Sequence, residues 1–272
     1  MSNLVTRTLS GAVYVALVVA SIVINPAFFG IVFLPITMLA IMEYHRLVKS
    51  HLMLSMLSTL AGGGMFCALY ALNTFTDMSY TVWFAYASVI FFLAALIAVL
   101  FIQQEANNAI ENWGHIVGSL VMIAFPFSIM TYLLDTPYVL LALFITIWVN
   151  DSGAYCIGSL TAKRAGGNHK MFPRVSPAKS WEGLIGGIVF ALAAGIIYWQ
   201  VGWFDNMWKA LGFALIIAIF GTLGDLMESL MKRTIGVKDS GKFLPGHGGV
   251  LDRFDSILLA TPVVTFYLIC CY

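Results

Sequence analysis

The chain has 272 residues, of which 60% are hydrophobic and only 10% charged, with a mean hydropathy of +0.91. Soluble domains carry about 25% charged residues, so lipid is the solvent for most of this chain, and the expected fold class is all-α, a polytopic membrane helix bundle. A formal net charge of +1 gives no reason to expect a nucleic-acid partner, so the local placement of charge matters more than its sum.

A helix needs about 20 mostly apolar residues to cross a hydrocarbon core about 30 Å thick. On that measure the sequence predicts nine spans, near residues 8–25, 27–43, 52–72, 80–102, 114–134, 137–158, 181–200, 208–231 and 252–271. The first two are joined through "INPAFF" and the fifth and sixth through "LDTP", where proline suits a turn because it fixes φ and lacks an N–H. One arginine, Arg7, precedes the first apolar run, and no small-residue cleavage site follows it, so this run is expected to be a retained span. Residues 1–135 say little beyond membrane embedding. Candidate chemistry concentrates in 136–272, with its loops 159–180 and 232–251. The four cysteines, Cys67, Cys156, Cys270 and Cys271, form no Cys-x-x-Cys or Cys/His cluster and are expected to be apolar packing residues.

Basic residues set the expected orientation. With the N-terminus in the cytoplasm and nine alternating spans, thirteen of the fourteen Lys and Arg residues fall on the cytoplasmic side; Lys209 is the exception. The acids Glu43, Asp151, Glu182, Asp225, Glu228, Asp239, Asp252 and Asp255 fall at or near the same face. An ionisable residue in a span costs about 2.5–3.5 kcal/mol on insertion scales and usually faces a cavity or a partner. Asp225 and Glu228 are three residues apart and share a helix face, and Asp252 and Asp255 repeat the spacing at the start of the last span. Carboxylates brought together repel and take up protons, unless a divalent cation resolves the conflict. Salt bridging is the plainer explanation, above all for Glu228 with Lys232 at i,i+4.

The "PGHGG" run before the last span frees the backbone to aim N–H groups at an anion. In "VSPAKSWEGLIGG", Ser176 and Pro177 are expected to start a turn, Ser180 to cap the next helix, and Lys179 to contact an anion. Gly186, Gly187 and Gly195 read as small residues that let helices approach closely. His247 is the stronger of two loop histidines for acid–base work, ahead of His169.

These residues carry a resemblance. "SLMKRTIGVKDSGKFLPGHGGVLDRFDS" is similar to the C-terminal signature of the phosphatidate cytidylyltransferase (CDP-diacylglycerol synthase) family, through Ser229, Lys232, Arg233, Lys238, Asp239, Pro245, His247, Gly248, Gly249, Asp252, Arg253 and Asp255. "VNDSGAY" and "SPAKSWEGLIGG" resemble two further family elements, while "GSLTAKRAGGNHK" departs from the family's Gly-Arg-x-Phe-Gly-Lys stretch, which leaves Lys163, Arg164 and Lys170 without a family role. The resemblance implies a reaction of CTP with phosphatidic acid that yields CDP-diacylglycerol and pyrophosphate. It implies Mg²⁺ at Asp225 and Asp252, a second cation (K⁺) nearby, and Asp255 and Asp151 as further metal candidates. The catalytic set becomes Asp225, Asp252, Lys238, Asp255 and His247. The phosphate-binding set becomes Ser176, Lys179, Lys232, Arg233, Lys242, Gly248, Gly249 and Arg253. The family also implies a homodimer in the bacterial inner membrane, among membrane lipids, with its active site facing the cytoplasm and its first spans lining a lipid cavity or a dimer contact. Two other readings compete: a CTP-dependent polyprenol or lipid kinase, such as a dolichol kinase, and a secondary transporter.

Overall fold

Lipid offers backbone N–H and C=O groups no hydrogen-bonding partner, so an apolar run must satisfy them within itself, as a helix. The computed structural model of the chain describes residues 3–102, 109–163, 167–241 and 248–271, and these are almost entirely helical. Eight helical segments among the described residues are long and apolar enough to cross a membrane, and Thr8–Val23 is a shorter apolar helix. The bundle expected from composition is present, one segment for each predicted span.

The described chain divides into two compact units. The first comprises Met1–Asp135 with Asp239–Phe254. It holds α1 (Asn3–Val23), α2 (Pro26–Leu47), α3 (Leu52–Thr74), α4 (Met78–Ile102), α5 (Ala109–Ser119), α6 (Phe125–Ile129) and the short α10 (Leu251–Phe254). Asn25 caps α2 by accepting the Phe28 N–H at 2.7 Å, and Pro26 takes the first helical position, where no N–H is needed. Between α5 and α6 the helix widens into one π turn, Leu120–Ala124, with Phe125 N–H bonded to Leu120 C=O. Pro126, which lacks an N–H and crowds the preceding turn, sits just beyond it. The core of this unit is aromatic. Phe29 and Phe33 of α2 stack at 4.2 Å, and Phe254 of α10 stands edge-on to Phe127 at 5.4 Å and to Tyr14 at 5.5 Å.

The second unit comprises Thr136–Lys238 with Asp255–Tyr272. It holds α7 (Pro137–Ala162), strands β1 (Lys170–Phe172) and β2 (Ser176–Ser180), α8 (Trp181–Gln200), α9 (Met207–Ile235) and α11 (Ile257–Cys270). The α7–α8 seam is built on small residues: Gly186 lies against Ile157, Gly187 against Asn150 and Gly153 against Phe190. α8 and α11 both pack on α9.

Four expectations are corrected. An antiparallel hairpin, β1–β2, occupies the loop before α8. Ser176 and Pro177 lie in β2, and the turn falls on residues 173–175 instead; a two-stranded ribbon leaves every strand an edge, where proline's missing N–H does no harm. α7 and α9 run on to Ala162 and Ile235, past the expected ends at 158 and 231, with Asp151 and Asp225 inside them as the spans predicted. The last span is not one continuous helix, because a turn at Asp255 and Ser256 separates α10 from α11 and breaks the shared face expected for Asp252 and Asp255. The cysteines are free, and Cys156, Cys270 and Cys271 are exposed rather than packed in a core.

Candidate active site

In the second unit, three elements bring charge together. β2 carries Lys179 next to its last residue, Ser180, which is also the α8 N-cap and whose Oγ accepts the Gly183 N–H at 3.1 Å. α9 presents Asp225 one turn beyond Thr222. The Lys179 ammonium lies 2.7 Å from Asp225 Oδ2 and donates to the Thr222 carbonyl at 3.2 Å. Ser229 Oγ, one turn on, donates to Asp225 Oδ1 at 3.2 Å. Asp225 and Lys179 are each partly exposed, and both line a cavity of about 330 Å³ with Asp151, Tyr155, Ser180 and Thr222. Asn150 of α7 reaches Thr222 Oγ1 at 3.5 Å through its Nδ2.

The negative charge extends beyond Asp225. The Asp255 carboxylate accepts the Ser256 N–H at 2.6 Å and feels the like charges of Asp225, Glu228 and Asp151. Glu228 and Lys232 form a buried ion pair one turn apart on α9. Four carboxylates therefore meet two ammonium groups, those of Lys179 and Lys232, in this part of the unit.

Arg233 lies exposed nearby on α9, where its Nη1 donates to the Val237 carbonyl at 3.1 Å and its Nε to the Val175 carbonyl at 3.4 Å. It lines a second cavity of about 590 Å³ with Arg174, Phe172 and Leu230. Ser176 is half-buried in β2, and Lys238 is exposed. His169 is committed to the base of the hairpin: its N–H donates to Glu182, and its Nδ1 lies 2.6 Å from Glu182 Oε1.

In the first unit, Asp252 is buried at the start of α10. Its Oδ2 accepts the Ser240 N–H at 2.8 Å, the Ser240 hydroxyl at 2.9 Å and the Gly249 N–H at 2.7 Å. The anion that the Gly249 amide holds here is thus the chain's own carboxylate. The Arg253 side chain is exposed, while its carbonyl accepts the Tyr14 hydroxyl at 3.2 Å. Lys242 and His247 lie outside the described residues.

The structure accordingly gathers Lys179, Asp225, Asp255, Asp151, Lys232 and Glu228 within one unit. It adds Asn150, Thr222, Glu43 and Ser240, which the sequence reading gave no role. Asn150 was detectable only as the neighbour of Asp151. Glu43 was detectable as the lone acid before Asp77, at the end of an apolar run.

The model of the cytidylyltransferase family matches residues 5–271. Among curated proteins, the chain is 44% identical over 150 residues to the phosphatidate cytidylyltransferase of Staphylococcus aureus strain COL, which covers 55% of each chain. It is 47% identical over 133 residues to that of Staphylococcus haemolyticus, covering 48% of this chain and 49% of the relative. It is 38% identical over 186 residues to that of Staphylococcus saprophyticus, covering 65% and 69% respectively. The matches to the first two span about half the length of those relatives.

Proposed function

Because the chain belongs to the cytidylyltransferase family, we propose that it transfers the cytidylyl group of CTP to phosphatidic acid, giving CDP-diacylglycerol and pyrophosphate. The observation that supports this reading most directly is the Lys179–Asp225 pair in its cavity: an ammonium for phosphate beside a carboxylate for a cation.

In the proposed reaction a phosphate oxygen of phosphatidic acid attacks the α-phosphorus of CTP in line. The new P–O bond forms as the bond to pyrophosphate breaks, and pyrophosphate departs with the electron pair. The attacking oxygen is already anionic, so no side chain has to remove a proton from it. The protein's work is positioning and charge stabilisation. Lys179 neutralises phosphate charge in the cavity, Arg233 and Lys238 supply further cationic charge, and Tyr155 forms part of the wall.

Mg²⁺ usually binds through one or two carboxylates plus substrate phosphates. The second unit offers carboxylates for that pattern, Asp225 and Asp151 lining one cavity and Asp255 within electrostatic reach of both, although among the described residues no three His, Cys, Asp or Glu side chains converge as a ready-made cage. Asp225, with Asp255 and Asp151 in support, is the proposed Mg²⁺ site of the second unit, Asp252 is the proposed Mg²⁺ ligand of the first, and K⁺ is the proposed second ion. When bound, the metal stabilises negative charge on the attacking and leaving oxygens.

CTP is water-soluble and phosphatidic acid stays in the bilayer, so the site belongs at a membrane face. The sorting of basic residues supports the cytoplasmic face, and the family resemblance supports an inner membrane and a homodimer. The test uses purified protein with phosphatidic acid, Mg²⁺ and CTP labelled at either the α- or the γ-phosphate. Label from the α-position is expected in the lipid. Label from the γ-position alone would identify a lipid kinase, and no label in lipid would leave a transporter as the better reading.

A further inference from the structure

Glu43 is an acid at the end of the apolar run of α2, just before Tyr44, His45 and Arg46, and it is buried, with only 5% of its surface exposed. Its carboxylate accepts the N–H of Val250 on Oε1 at 3.0 Å and the N–H of Leu251 on Oε2 at 2.9 Å. Oε2 also lies 3.2 Å from the Ser240 hydroxyl, whose other neighbour is Asp252 Oδ2 at 2.9 Å. The first N–H groups of a helix have no partner inside it. Here a side chain more than 200 residues away in sequence supplies one. The fit is close on every side. A Cβ on Gly241 would come within 2.6 Å of Glu43 Oε1, and one on Gly249 within 2.5 Å of Oε2. Both positions need glycine so that the carboxylate can reach the amides. α2 holds α10 a second time through Phe33, whose ring meets that of Phe254 edge-on at 5.9 Å.

We infer that Glu43 is a positioning residue for the reaction: by binding two successive amides and the Ser240 hydroxyl, it sets the orientation of the Gly249–Asp252 turn and of the Asp252 carboxylate. The claim that this matters for catalysis rests on the cytidylyl-transfer reading, in which Asp252 holds Mg²⁺. The clamp itself rests on the geometry alone. A carboxylate fixed on two adjacent N–H groups leaves the turn little freedom to rotate. Glutamine keeps one acceptor but places an NH₂ group against the other amide.

The test uses the full chain in detergent, as wild type, Glu43→Gln, Gly241→Ala, Glu43→Ala and the double variant Glu43→Ala with Gly241→Ala. Two quantities are read: the Mg²⁺ concentration that gives half the maximal rate, and hydrogen exchange at the amides of Val250 and Leu251. Loss of an outer partner of a metal ligand typically costs 10–100-fold in metal affinity or activity. Glu43→Gln is therefore expected to raise the half-saturating Mg²⁺ concentration about 10-fold and to remove protection at Val250 and Leu251, with exchange within α2 unchanged. Gly241→Ala, which pushes the carboxylate off the amides, should produce both changes as well. Adding Gly241→Ala to Glu43→Ala should then do little further harm. If the variants lower thermal stability and the active fraction while half-saturating Mg²⁺ and exchange stay at wild-type values, Glu43 is merely structural and the inference is overturned. If the wild type transfers no label to lipid, the functional reading has failed by itself. The exchange measurement then decides the clamp: lost protection in Glu43→Gln retains it, and unchanged protection removes it.

Discussion

Asp225 and Asp252 carry the same chemical group, and the family signature pairs them, yet they keep different company. Asp225 faces side chains that carry charge: Lys179 on one oxygen, with Asp255 within electrostatic reach. Asp252 faces the backbone, with Oδ2 occupied by two amides and a hydroxyl. The first arrangement stores unbalanced charge beside a cavity; the second fixes a loop. What a carboxylate does is read from what it faces, and a motif that lists both as aspartate hides the difference.

Substitutions can break or sharpen that contrast. The largest loss is expected for Asp225→Asn, about 10³-fold in transfer rate, with little change in the melting temperature in detergent, because the group is partly exposed and asparagine keeps an acceptor oxygen at the same place. Asp252→Asn should also abolish most transfer but should in addition lower stability by about 1–3 kcal/mol, since its hydrogen-bond donors would lose a charged acceptor. Equal melting temperatures for the two variants would erase the distinction drawn here. Glu228→Ala tests a third situation, a buried acid paired with one lysine. It removes one half of the Glu228–Lys232 ion pair, and a broken buried pair costs about 3 kcal/mol or more, to be read as a loss of folded protein on detergent size exclusion. The smallest effect belongs to Glu111→Gln. This acid is mostly exposed, 3.5 Å from His115, and both rate and melting temperature should stay near wild type, within about 0.5 kcal/mol.

The spans were legible because lipid imposes a continuous apolar run on anything that crosses it, and nothing else in the chain imitates such a run. The Ser180 cap and the Glu228–Lys232 pair were legible because their partners sit three and four residues away, where helical geometry alone brings them together. The hairpin was not, since two short strands rich in Lys, Pro and Ser have no apolar alternation to announce them. The Lys179–Asp225 pair was missed for a different reason: both residues were singled out, but each was assigned to an absent ligand before being considered as a partner for the other. Glu43 marks the limit. Its hydrogen-bond partners are mainly backbone amides, which leave no trace in side-chain identity, and only its being the lone acid before Asp77 set it apart.

The Ser180 cap has a consequence for how the chain tolerates change in length. An α-helix turns 100° and rises 1.5 Å with each residue, so the residue that starts α8 acts as the zero mark of a ruler. Lys179 stands one position before that mark, and Ser180 is also the register partner of Lys170 across the hairpin. One residue inserted between Lys179 and Ser180 would swing the ammonium away from Asp225, whereas one inserted near Gly167, before β1, would leave the mark where it is. Length should therefore be held fixed from Lys170 to Gly183 and free to vary just before it, in a loop that composition alone would treat as uniform.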